Sequence, residues 1–205
     1  MTENDIGKIV IDASTNSKNN LCASAPLREK RFSFFRGDTW KSRLCLLTVI
    51  VGLVLFFDLW TKALALQHLS PVYPKKVIDG FFSLTLVMNS GVAFGVFSGI
   101  ESSFKAYVLL ALTGVTVGLV IFYYFYEKAL HLGARIGLAL VVGGAFGNMI
   151  DRWRFQKVVD FLDFYWQGYH WPAFNIADCA ISVGVTILLF DALTGMRRQH
   201  ASDTS

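Results

Sequence analysis

Apolar residues gather into four long stretches along this chain, with polar segments between them. Residues 44–66 are apolar except for Asp58 and Lys62, and residues 106–126 (AYVLLALTGVTVGLVIFYYFY) carry no charge. Residues 134–150 are shorter and Gly-rich, and residues 173–194 carry only Asp178 and Asp191. A helix needs roughly 20 mostly apolar residues to cross a bilayer. The pattern therefore predicts four transmembrane helices in one membrane domain, residues 44–195. A polar segment, 1–43, precedes it, and a short tail, 196–205, follows. Between the first two stretches, "FSLTLVM" (82–88) alternates apolar and polar residues, as a half-buried strand does, and "NSG" (89–91) is a turn signal. Before the last stretch, "WRFQKVVDFLDFYWQGYHW" (153–171) mixes aromatics with charges, as segments lying at a membrane interface do.

Composition agrees with this reading. Of 205 residues, 54% are hydrophobic and 15% aromatic, which soluble domains seldom reach. The mean hydropathy is +0.47. The first 43 residues hold eight Lys/Arg and five Asp/Glu, with no apolar run before Leu44. No cleavable signal peptide is expected there, and the segment reads as disordered. "LCAS" around Cys22 has no hydrophobic segment before it, so it is not a lipidation site. Cys22, Cys45 and Cys179 have no metal-like spacing, and Cys45 and Cys179 fall in predicted spans, which argues against a disulfide framework.

Lys and Arg near helix ends set orientation. Six stand before the first span (Arg28, Lys30, Arg31, Arg36, Lys41, Arg43), two flank residues 127–135 (Lys128, Arg135) and two follow the last span (Arg197, Arg198). The other face holds Lys75, Lys76, Lys105, Arg152, Arg154 and Lys157. Both termini are thus expected in the cytoplasm, with 67–105 and 151–175 outside. The expected fold class is an all-α membrane protein of four transmembrane helices, with a small extracytoplasmic β-sheet and an interfacial segment.

On that topology Asp58, Asn89, Asn148, Asp151, Arg152, Asp160, Asn175 and Asp178 all fall at the outer helix ends or in the outer loops. Four segments distant in sequence deliver polar groups to one membrane depth. Asp58 and Lys62 stand at i, i+4 and suit a structural ion pair. Asn148 and Arg152 share the same spacing, and Arg152 offers either a guanidinium fork for a peptide carbonyl or a simple helix-end charge. Gly143 and Gly147 form a G-xxx-G spacing, and with Gly144 they suggest close helix packing. Asp178 sits about one turn into an apolar helix, with Asn175 at i−3, and an intramembrane carboxylate is a functional hypothesis by default. Two carboxylates sharing a proton can hydrolyse a peptide bond, one activating water while the other polarises the carbonyl. Asp151, Asp160 and Asp163 are all partners for Asp178 by position. The apolar neighbours of Asp160 put it ahead, and Asp163 is expected to face water. Spacing does not settle the choice.

Other chemistries find less support. His68, His131, His170 and His200 are scattered, with no HExxH and no paired cysteines, so no metal is expected. Ser90 and Ser98 lack a Lys on the same element, Cys179 lacks a His at helical spacing, and nucleotide-binding glycine loops are absent. The basic residues read as topology signals and give no nucleic-acid patch.

Five motifs in order, "DLWTK" (58–62), "NSGVAFG" (89–95), "GNMIDR" (147–152), "VVDF" (158–161) and "FNIAD" (174–178), resemble the lipoprotein signal peptidase (signal peptidase II) family over roughly residues 40–195. The resemblance implies an aspartic endopeptidase of the bacterial inner membrane with a periplasmic active site and no cofactor. Its partners would be membrane lipid and diacylglyceryl-modified prolipoproteins, cut on the N-terminal side of the lipidated cysteine. It places the catalytic pair on Asp160 and Asp178, and the substrate-site positions on Asn89, Asn148, Arg152 and Asn175. Asp58 and Lys62 fall on the first motif, where a structural role fits. Leu59 and Val92 depart from residues common in the family (Gln and Ala), and neither is a reacting group. Two rivals stand beside it. A small ion- or proton-coupled transporter also needs buried carboxylates, but it predicts charges near mid-membrane and internal repeats. A non-catalytic assembly factor would tolerate loss of either carboxylate.

Overall fold

The computed structural model describes residues 39–91 and 102–203. The chain divides into two units, Met1–Asp38 and Thr39–Ser205. Expectations for residues 1–38, and for Val92 and Ser98, lie outside the described residues.

Among the described residues, four helices and four strands follow in the order α1 (Trp40–His68), β1 (Lys75–Ile78), β2 (Phe82–Asn89), α2 (Ser102–Tyr126), α3 (Leu132–Phe155), β3 (Val158–Trp166), β4 (Tyr169–His170) and α4 (Ile176–Asp203). All four helices are long and apolar enough to cross a membrane. α1 starts four residues before the apolar run, because the Thr39 hydroxyl accepts from the Ser42 amide as an N-cap. α4 continues through the expected C-terminal tail to Asp203.

α3 packs against α1, α2 and α4, and most of its span is buried inside the protein. The other three present large apolar side chains outward, among them Phe56, Trp60, Leu112, Leu119 and Phe190. Apolar groups outside and polar groups inside suit hydrocarbon as the surrounding solvent. The glycines of α3 allow the close approach. A Cβ at Gly143 would stand 2.9 Å from that of Val54 on α1, and one at Gly144 would overlap the Ala177 carbonyl oxygen of α4. At the end of the bundle away from the sheet, Arg43 donates to the Glu127 and Lys128 carbonyls at 2.8 Å each. The Tyr124 hydroxyl donates back to the Arg43 carbonyl at 2.9 Å, tying α1 to the C-terminus of α2.

The strands form one antiparallel sheet in the order β1-β2-β3-β4. β2 matches the alternating stretch to within a residue. The segment expected at the interface joins the sheet as β3 and β4, and residues 158–161 are buried. α3 ends at Gln156, in the left-handed conformation (φ 59°) with its amide bonded to the Arg152 carbonyl, and so turns directly into β3.

Candidate active site

Buried charge at one end of the bundle is balanced around Lys62. Its ammonium lies 2.8 Å from Asp58 Oδ2 and 2.8 Å from Asp151 Oδ2, and it donates to Asn148 Oδ1 at 3.2 Å. All three charged side chains are sealed from solvent. Asp58 also accepts from the Ala177 amide in the first turn of α4, and Asp151 from the Val159 amide at the start of β3. One cation and two carboxylates thus join α1, α3, α4 and β3. A Cβ at Gly147 would overlap Asp58 Oδ2, so the glycine admits the carboxylate.

A second polar cluster adjoins the first. The backbone of Phe174 pairs with Leu162 in both directions, at 2.9 and 3.1 Å, so β3 fixes where α4 begins. Asn175 caps α4: its Oδ1 accepts from the Asp178 amide at 3.0 Å, while Asp178 Oδ2 accepts from the Asn175 amide at 3.2 Å. This is a reciprocal capping box. The Asn175 side chain is 0% exposed and donates to Asp160 Oδ1 at 2.7 Å and to Asn148 Oδ1 at 3.2 Å. Asn148 in turn donates to Asp178 Oδ1 at 2.8 Å. Asn89, at the end of β2, donates to Asp160 Oδ2 at 2.9 Å and accepts from the Gly91 amide at 2.8 Å, which orients its amide. Asp160 and Asp178 are therefore linked through Asn175, and Asn148 bridges the Asn175 side chain to the Asp178 carboxylate.

The two carboxylates differ in surroundings. Asp160 is 1% exposed, whereas Asp178 is half-buried. Burial pushes the Asp160 carboxyl up to about 6 against the hydrogen bond from Asn89, and the Asp178 charge beside it acts in the same direction as burial. Arg152, half-buried one turn beyond Asn148, has Asp178, Asp151 and Asp160 as electrostatic neighbours. Among the described residues its guanidinium makes no hydrogen bond or ion pair, which leaves the fork available to a ligand.

Asp58, Lys62, Asn89, Asn148, Arg152, Asp160, Asn175 and Asp178 thus all gather at one end of the bundle. Two other expectations change. Asp151, a partner for Asp178 by spacing, is occupied by Lys62. Asp163 does not face water: it is 6% exposed, accepts from the Ser83 hydroxyl at 2.9 Å and lies 2.9 Å from His170 Nδ1. The cause is that 161–171 folds back as a hairpin over Asp163. Ser83 and the Asp151–Lys62 contact were not singled out from sequence, because each depends on pairing between distant elements. The N-x-x-D spacing at 175–178 was a local capping signal within reach.

The family model for signal peptidase (SPase) II matches residues 50–194. The chain is 44% identical to a lipoprotein signal peptidase of Syntrophus aciditrophicus over 153 residues, covering 75% of this chain and 95% of that protein. It is 40% identical to one of Desulforapulum autotrophicum over 151 residues, covering 74% and 91%. A solved structure titled "Bacterial membrane enzyme structure by the in meso method at 1.9 A resolution" is similar with a TM-score of 0.64 at 29% identity, covering 72% of this chain and 92% of that one.

Proposed function

The chain belongs to the signal peptidase II family, and on that premise we propose that Asp160 and Asp178 are the catalytic pair with which it cuts diacylglyceryl-modified prolipoproteins before the lipidated cysteine. It is a multi-pass bacterial membrane peptidase acting on lipoproteins, and the transporter reading finds no support among its relatives. The observation that carries the assignment is Asn175, a buried residue whose side-chain amide donates to the Asp160 carboxylate while its backbone amide donates to that of Asp178.

In this reading the signal peptide lies along the helices, and its scissile bond reaches the polar end of the bundle. Asp178, half-buried, acts as the base and takes a proton from water as the oxygen attacks the carbonyl carbon. Asp160, kept protonated by burial up to about pH 6, gives its proton to the carbonyl oxygen. The tetrahedral diol collapses as Asp178 passes its proton to the leaving nitrogen and Asp160 recovers one from the diol oxygen. Asn148 and Asn175 hold the two carboxylates in place, and Asn89 steadies Asp160. The Arg152 fork receives a backbone carbonyl of the substrate. The Lys/Arg bias supports a periplasmic position for this end at the inner membrane, with both termini in the cytoplasm.

The test is cleavage by the purified protein of a synthetic lipobox peptide with and without the diacylglyceryl group, with products identified by mass. Cleavage before the lipidated cysteine, and little of the unlipidated peptide, is expected. Equal cleavage of both, or cleavage elsewhere, contradicts the reading.

A further inference from the structure

We propose that Asp163 is a positioning residue for this reaction: bound to Ser83 and covered by His170, it holds β2 and β3 in the register that keeps Asn89 on Asp160. The inference rests on the dyad reading above and extends it to a carboxylate outside the dyad. Asp163 lies three residues beyond Asp160 on the same strand and pairs directly with Ser83 across the β2–β3 ladder. The ladder is irregular between these two points. From Leu84↔Leu162 to Val87↔Asp160, β2 advances three residues while β3 advances two, so one extra residue is accommodated in β2. Register beyond a bulge depends on what pins the ladder before it. A slip of one residue sends Asn89 to the opposite face of the sheet, away from Asp160.

The pin is built for that purpose. Ser83 is 2% exposed and its hydroxyl donates to Asp163 Oδ2 at 2.9 Å. His170 Nδ1 approaches both carboxylate oxygens of Asp163, at 2.9 and 3.0 Å, and the imidazole stacks on Tyr165 with centroids 5.0 Å apart. Asp163 therefore joins β2, β3 and β4 through one buried carboxylate. The charged groups acting on Asp160 come from other elements: Asp178 from α4, Lys62 from α1 and Arg152 from α3. Because the Asn89 hydrogen bond favours ionised Asp160, losing it moves the Asp160 titration to higher pH. Activity that requires protonated Asp160 then extends to higher pH, while its maximum falls.

The experiment measures kcat and KM against pH for the full-length protein and a lipidated peptide, in wild type and in Ser83→Ala, Ser83→Thr, Asn89→Ala, Ser83→Ala/Asn89→Ala, Asp163→Ala and Asp160→Asn. Ser83→Ala should lower kcat roughly tenfold, as expected for losing a buried charge-assisted hydrogen bond. It should also move the alkaline limb up by about half a unit or more. Asn89→Ala should move the limb equally, and the double variant should add nothing to Asn89→Ala alone. Ser83→Thr, which keeps the hydroxyl, should restore the wild-type limb. Asp163→Ala should match or exceed Ser83→Ala; if it fails to accumulate, Ser83→Ala carries the test by removing a single hydroxyl. An unshifted limb in Ser83→Ala, or effects of Ser83→Ala and Asn89→Ala that multiply, overturns the inference while Asp160→Asn stays inactive. Persistent cleavage by Asp160→Asn instead overturns the dyad reading, and this inference with it.

Discussion

Lys62 is the side chain on which the buried charges balance, since its single ammonium faces both Asp58 and Asp151 at 2.8 Å. Removing one partner of a buried pair leaves an uncompensated charge at a cost of about 3–5 kcal/mol. Lys62→Met leaves two, so it should lower the unfolding midpoint in detergent sharply and reduce accumulation in the membrane. A midpoint close to wild type would contradict the network. The i, i+4 spacing of Asp58 and Lys62 made half of this network legible in sequence. Asp151 was not, because only the packing of α3 on α1 brings it to the ammonium. Asp163 was misjudged for a similar reason: its partners come from β2 and β4, and no local pattern names them. Asp160 also carries a pH prediction. Its carboxyl is raised to about 6, so the protonated form needed for donation is lost as pH rises through that value. Activity of the free enzyme should decline on the alkaline side from about 6 upward, and a kcat/KM profile flat from pH 5 to 9 would exclude this role.

α3 and β3 do the positioning between elements. Gly144 lets α3 approach the first turn of α4, where a Cβ would overlap the Ala177 carbonyl oxygen. Gly144→Val should therefore push the two helices apart, costing about 1–3 kcal/mol of stability by overpacking. It should also break the 2.8 Å contact from Asn148 to Asp178, so activity should fall further than stability. The check is kcat at a temperature where circular dichroism shows the variant folded; wild-type turnover there would deny α3–α4 contact a part in the site. The four spans were readable because hydrocarbon imposes their length, and β2 because its alternation is clean. β3 was masked by composition. Its aromatics and charges resemble an interfacial segment, while its burial comes from pairing with β2 and with Phe174, both distant in sequence.

For the whole molecule, three of these helices carry large apolar side chains outward around α3, and helices and sheet together bring every proposed site residue to one end. The Lys/Arg bias predicts which side that end faces. Reporter fusions at residue 131 and at the C-terminus should report cytoplasm, and fusions at 75 and 168 the opposite side. A C-terminus outside would reverse the placement of the site. The residues that gather at this end could be named from the sequence, since their motifs are short and lie at helix and strand ends; what sequence could not convey was which carboxylate each amide holds. The proposed reaction turns on two carboxylates acting as one unit. Its most direct test is turnover of a diacylglyceryl-modified prolipoprotein in liposomes by wild type, Asp160→Asn, Asp178→Asn and the double variant, all confirmed as folded. Asn is nearly isosteric with Asp yet carries no titratable proton, so each single variant should lose cleavage and the double should be hardly worse. A folded Asp178→Asn protein that cleaves at a rate near wild type would contradict the account.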